Sequence, residues 1–344
     1  MIKVAVDAMG GDYAPGEIVK GAVEALADCS DLMIYLVGKE DLIRQYLDYE
    51  RFPVERLEII HTEEIIYGED NPGMSIKKKK DSSMVKAQLM VRDGAADAIL
   101  SAGNTGALMA GGTLYLGRIP GVSRPALLTI IPAFANDSLV LLDVGANMDA
   151  RPEQLVQYAL MGQLYVRNVL NRDNPSVGLI NVGAEHNKGN EQTRKAFELI
   201  DHKVHNFSGN IEGSELLNGK VDVAVCDGFV GNVLLKTIEG LSKGLFSSLK
   251  EEFTRNWINT IGASLLQSSF RELQERMDES EYGGAPLIGV NGICIKCHGS
   301  SKSKAVKIAL SKQIYSLVQN EVNNSIQEVL VETNSGRKEI EENA

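Results

Sequence analysis

Apolar residues along the chain fall in short runs separated by longer amphipathic stretches, the pattern of strands alternating with helices. Residues 2–6 form a mostly apolar run, as expected for a strand in a sheet covered on both faces. It ends in Asp7-Ala8-Met9-Gly10-Gly11-Asp12, and Pro15 then starts a helix running to about Ala27. Further strands are expected at 32–37, 57–60, 98–100, 126–131, 139–142, 177–181 and 221–225. Helices are expected from about Glu40, after Asn71-Pro72-Gly73, and from Pro152 to about Leu170. The alternation at Cys294-Ile295-Lys296-Cys297 also reads as a strand. Strands alternating with helices predict a three-layer αβα domain built on a mainly parallel sheet. It spans about 1–332, with a polar tail at 333–344 expected to be disordered.

One region departs from this rhythm. Residues 241–278 read as two long helices broken near 256–262, a helical hairpin projecting from the body. Between Phe253 and Phe270 the only full charge is Arg255. The same stretch carries Trp257, Ile258, Ile261, Leu265 and Leu266. From 303 to 331 a final helix is expected, with Val306, Leu310, Ile314 and Leu317 on one face.

Five expected strand ends carry glycine together with Asp or Asn, near Asp7, Asn104, Asn147, Asn181 and Asn232. Ligands bind beyond the carboxyl ends of strands in such sheets, so the pattern predicts one cleft rimmed by amides and small polar groups. Helix capping alone would use the same residues. At the stretch Ser101-Ala102-Gly103-Asn104-Thr105-Gly106 a short strand breaks into a glycine turn and resumes as a helix. Such a turn directs free N–H groups at an anion, and Gly103, Asn104, Thr105 and Gly106 are its candidate phosphate cradle.

Composition narrows the chemistry. The 344 residues are 44% hydrophobic, enough for a large core, and the net charge of −11 disfavours a nucleic-acid partner. The opening MIKVAVDAMGG has no basic-then-apolar leader, and no run of about 18 apolar residues appears. Four cysteines in a chain of this length do not suggest a disulfide framework, so a cytoplasmic location is the default. Cys294 and Cys297 have half-site spacing, but no second pair completes a metal site. Neither a P-loop nor a G-x-G-x-x-G turn is present.

Six motifs occur together and in order: Asp7-Ala8-Met9-Gly10-Gly11-Asp12, SAGNTGA from Ser101, LDVGAN from Leu142, DGFVGN from Asp227, YGGAP from Tyr282, and His298-Gly299-Ser300-Ser301. Together they resemble the bacterial phosphate acyltransferase family of phospholipid synthesis, over about 2–330. The resemblance implies that inorganic phosphate attacks a fatty acyl thioester on acyl carrier protein, giving acyl phosphate. It also implies a homodimer and a fold like isopropylmalate dehydrogenase or phosphotransacetylase, with no nicotinamide or other cofactor. The product would pass to a membrane-bound enzyme, expected to be a glycerol-3-phosphate acyltransferase, so peripheral membrane association is expected too. A non-catalytic scaffold that binds acyl carrier or lipid on the same fold is the alternative.

Because phosphate is itself the nucleophile, the chemistry needs an anion site and an oxyanion site rather than a Ser–His–Asp triad. Asn147 and Asn232 are candidate donors to phosphate or oxyanion. Lys188, at a strand end, is a candidate phosphate partner or a solvated loop lysine. His298 is the candidate proton handler for the leaving thiolate, or a histidine that holds its loop. Lys77 to Lys80 form a solvated helix face or a docking patch for an acidic carrier. Trp257, Ile258, Ile261, Leu265 and Leu266 are expected to contact membrane, or to pack against a second subunit.

Overall fold

The computed structural model describes residues 1–48, 50–134 and 138–342, with side chains described as far as 332 except that of residue 279. In chain order the elements begin β1 (Ile2–Asp7), α1 (Gly16–Asp28), β2 (Leu32–Gly38), α2 (Glu40–Leu47), β3 (Leu57–His61), α3 (Pro72–Lys78), α4 (Ser83–Arg92), β4 (Ala98–Ser101) and α5 (Thr105–Gly111). The middle is β5 (Ala126–Pro132), β6 (Ser138–Leu142), α6 (Pro152–Val169), β7 (Val177–Asn181), α7 (Glu191–Lys203), β8 (Phe207–Glu212) and β9 (Val223–Val225). Then come α8 (Gly228–Thr254), α9 (Trp257–Leu265), α10 (Gln267–Arg276), β10 (Ala285–Ile288), β11 (Ile293–Lys296), α11 (Ser303–Ile308), α12 (Tyr315–Gln319) and α13 (Val322–Glu342).

Eleven strands make one sheet in the order β3-β2-β1-β4-β11-β10-β5-β6-β9-β7-β8. The sheet is mostly parallel; β10 pairs antiparallel with both β11 and β5, and β5 antiparallel with β6. Helices cover both faces, as the period of two along the strands shows. Val4 and Val6 of β1 and Val140 and Leu142 of β6 face one apolar layer. Ala5, Leu139 and Leu141 face the other. The helices begin where short polar side chains accept their first free amides: Asn71 from Met74, Ser82 from Val85, Asn190 from Thr193 and Asp227 from Val230.

Three expectations change. The strand ends do not share one edge of the sheet. Three successive antiparallel pairings separate β4 from β6, so β6, β9 and β7 run opposite to β1 and β4. The expected break is confined to Arg255 and Asn256, and 257–265 forms a further helix, because Asn256 accepts the Asn259 N–H and caps α9. Around it, Phe253 of α8 and Phe270 of α10 meet edge to face with ring centroids 4.5 Å apart. The final segment is not one helix. It passes through a π turn at Ala309–Ile314 and breaks at Asn320 and Glu321, where Glu321 has φ 46°. Side chains of the expected tail at 333–344 lie outside the described residues.

Candidate active site

Three loops meet at the ends of β1, β4 and β11. Asp7, at the end of β1, is buried and accepts the hydroxyls of Ser83 (2.5 Å) and Ser101 (2.6 Å). Burial raises its carboxyl above the usual range, with those hydrogen bonds pulling the other way. Ser101 Oγ also takes the Gly103 N–H at 3.0 Å, so a carboxylate, a hydroxyl and a turn amide form one chain of bonds. Gly10 packs into this corner. A Cβ there would lie 2.5 Å from Asp7 Oδ2 and 2.7 Å from Gly103 N, so only glycine fits. The neighbouring loop after β11 docks through Asp12, whose N–H donates to the Gly299 carbonyl at 2.8 Å.

The expected cradle is only partly available. Asn104 Oδ1 caps α5 through the Ala107 N–H at 2.9 Å. Its amide nitrogen is spent on the carbonyls of Tyr67, Gly68 and Asp70 at 2.9–3.2 Å, which fixes that loop over the site. Thr105 and Gly106 open α5 ahead of its first intrahelical bond, made by Leu108 to Asn104 O. Gly106 lies against α3, where a Cβ would meet Pro72 Cγ at 2.7 Å.

The second group of strand ends is held by Asp143, which is buried. Its carboxylate takes N–H groups from Leu127, Gly145, Ala146 and Asn147 at 2.6–3.2 Å. Burial raises its carboxyl, against those four bonds. Asn147 gives its side-chain amide to the Pro125 carbonyl at 2.7 Å and to Asp143, so it organises the loop. The start of α8 packs on the same loop: the Gly228 N–H donates to Asn147 O at 2.8 Å. Asn232 is half-buried, and no hydrogen bond of its side chain occurs among the described residues. Of the three candidate asparagines, its amide alone is uncommitted.

The two groups are joined by α8. Lys236 lies one turn beyond Asn232 on the same face. Its Nζ is 3.2 Å from His298 Nε2 and 2.9 Å from Glu239 Oε2. The other ring nitrogen of His298, Nδ1, accepts the Ser300 N–H at 3.2 Å. Ser300 Oγ lies 2.8 Å from the same nitrogen. Lys236 escaped the sequence reading, although its spacing from Asn232 was a usable signal. Lys296 escaped it too, as a lysine standing alone in an apolar strand between two cysteines.

Lys188 stands apart, at the end of β7. Asn181 donates to its carbonyl at 3.2 Å, and Asn210 donates to the Glu185 carbonyl at 2.8 Å, which pins the loop. The Lys188 ammonium makes only a loose 4.0 Å pair with Glu185 and is half exposed. In the lysine run, Lys79 is bound to Asp70 at 2.5 Å and to the Ile65 carbonyl at 2.8 Å, while Lys77, Lys78 and Lys80 face solvent. Cys294 and Cys297 are buried free thiols whose burial pushes both up to about 12, so they are unreactive. On α9 and its C-cap, Trp257, Ile258, Ile261, Leu265 and Leu266 are 53–81% exposed. Among the described residues no helix is long and apolar enough to cross a membrane.

Comparison with known proteins gives a consistent result. Residues 2–325 match the family described as fatty acid synthesis protein. A protein of Brevibacillus brevis named phosphate acyltransferase is 47% identical over 338 residues, covering 98% of this chain and all of that one. Its namesake from Geobacillus thermodenitrificans is 49% identical over 332 residues, covering 96% of this chain and all of its own. Among solved structures, the EutD phosphotransacetylase from Staphylococcus aureus superposes with a TM-score of 0.57 at 14% identity, covering 92% of this chain and 94% of its own. A branched-chain phosphotransacylase from Enterococcus faecalis V583 gives 0.56 at 13% identity, over 94% of this chain and 99% of its own. At such identities these two structures speak to the fold alone.

Proposed function

The chain belongs to the family described as fatty acid synthesis protein, and on that premise we propose how its residues serve acyl transfer to phosphate. The protein is a phosphate acyltransferase of phospholipid synthesis, moving a fatty acyl group from acyl carrier protein to inorganic phosphate. The observation that carries this is near 47–49% identity to phosphate acyltransferases along nearly the whole chain.

The chemistry balances without an added base. Hydrogen phosphate dianion attacks the thioester carbonyl, a C–O bond forms, and the C–S bond breaks as the oxyanion collapses. The proton that phosphate carried ends on the departing thiol. In our reading the amides of Thr105 and Gly106 hold phosphate, the Gly103 N–H being taken by Ser101 Oγ, and the Lys188 ammonium reaches the anion from the end of β7. Asn104 and Asn147 support that site by fixing its loops. Asn232 donates to the oxyanion, and His298, set by Lys236, passes the proton to sulfur. The support for the last two is the uncommitted Asn232 amide and the contact between Lys236 and His298.

The outer surfaces fit the same reading. Lys77, Lys78 and Lys80 offer an acidic carrier a cationic patch. The α8–α9–α10 segment acts as a projecting hairpin whose apolar α9 rests on the membrane surface, where a glycerol-3-phosphate acyltransferase would receive the labile product. The working unit is a homodimer on an isopropylmalate dehydrogenase-like fold, in the cytoplasm. Phosphate-dependent release of free carrier thiol tests the function: it rises with phosphate if the reading is right and is absent otherwise.

A further inference from the structure

Lys296 is 7% exposed, and among the described residues no other lysine or arginine is buried. A buried ammonium is costly unless compensated. No carboxylate hydrogen-bonds it; its Nζ donates instead to the carbonyls of Ala102, at 3.4 Å, and Cys297. The nearby Asp7 carboxylate is already engaged by Ser83 and Ser101. A fold needing only bulk there would be served by another apolar residue, like Ile293 and Ile295 on the same strand. The two carbonyls explain the exception. Ala102 is the first residue after β4 and opens the Gly103 turn; Cys297 is the first after β11 and precedes His298. The strands pair with Lys296 beside Ser101, and the Cys297 N–H donates to the Ser101 carbonyl at 2.9 Å.

We propose that Lys296 is a positioning residue: its ammonium clips the end of β4 to the end of β11 and so sets the spacing between the Gly103–Gly106 turn and His298. The inference rests on the acyl-transfer reading of this site. The groups that face the clip are Asp7 of β1, Asp12 of the following loop, Lys236 of α8 and the adjacent Cys297. Burial is the main effect on the amine and brings it down to about 8; Lys236 acts in the same direction, and Asp7, Asp12 and Cys297 against it. Below that pH the clip is charged, and above it the hold on the two carbonyls weakens.

The test compares wild type, Lys296→Met and Lys296→Arg from pH 7 to 9.5, with phosphate already a dianion above pH 8. Thermal melts accompany the kinetics. If wild type forms no acyl phosphate, the acyl-transfer reading fails and the clip with it. With active wild type, Lys296→Met should fold and lose at least about tenfold in kcat. The wild-type rate should fall above about pH 8, while Lys296→Arg, charged throughout, should keep its rate at high pH. Lys296→Met within twofold of wild type, or the same alkaline fall in wild type and Lys296→Arg, would overturn the proposal. Should Lys296→Met not fold, the comparison of wild type with Lys296→Arg decides it, and an unfolded Lys296→Arg leaves the decision to whether wild type slows above pH 8.

Discussion

Lys236 of α8 and His298 of the loop after β11 lie 3.2 Å apart between Nζ and Nε2, although 62 residues separate them. This contact joins the two groups of strand ends, which the sheet topology sends in opposite directions. The lysine holds the ring on one side, and the Ser300 N–H, donating to Nδ1 at 3.2 Å, holds it on the other.

Replacing Lys236 with methionine should therefore disturb proton transfer more than binding. The expected result is a fall in kcat of about tenfold or more, with the KM for phosphate changed much less. Lys236 is exposed, so the melting temperature should hardly move. Steady-state kinetics in phosphate check this, and an unchanged kcat would remove the pair from the reaction.

Two glycines of α8 should respond in opposite ways to alanine. At Gly231 a Cβ would sit 1.9 Å from the Asp143 carbonyl oxygen and 3.0 Å from Cys226 Sγ, so Gly231→Ala should destabilise by roughly 2–4 kcal/mol. At Gly240 nothing lies within 4 Å, and Gly240→Ala should stabilise by about 0.5–1 kcal/mol. Denaturant melts of the two variants provide the comparison; similar shifts for both would contradict the close packing of α8 on the loop after β6.

The exposed stripe of α9 makes a prediction about membranes. Burying a side chain such as Ile258 or Leu265 in an apolar phase contributes roughly 1.5–3 kcal/mol, so two or three suffice for reversible adsorption. A variant carrying Ile258→Glu and Leu265→Glu should stop floating with liposomes while keeping its size in solution. Flotation as before, or a smaller particle, would assign the stripe to something else, the second case to a subunit contact.

Most of the fold was legible because its strands are apolar runs between turn signals. The expected ends of β1, β6 and β7 differ from the observed ones by a residue or less. Less legible were elements whose signal is local and polar. β8 reads Phe-Ser-Gly-Asn-Ile-Glu, half of it polar, and α4 follows the lysine run with no break except the Ser82 cap. The mainly parallel sheet was legible, but its reversal between β4 and β6 was not, since the inversion depends on β10 and β11 entering the middle of the sheet from the end of the chain. The sequence shows polar residues at the strand ends, but not what their atoms do. Asn104 and Asn147 look like ligand donors in sequence and spend their amides on backbone carbonyls in the structure. Lys296 has no sequence signal of its own beyond being a single charge in an apolar strand.

The central claim is tested most directly by following the phosphorus. Wild-type protein is incubated with palmitoyl-loaded acyl carrier protein and labelled inorganic phosphate, and the products are separated before the acyl phosphate hydrolyses. The account predicts labelled acyl phosphate and free carrier thiol in equal amounts, both requiring phosphate. Free fatty acid without labelled acyl phosphate, or no turnover by folded protein, would contradict it.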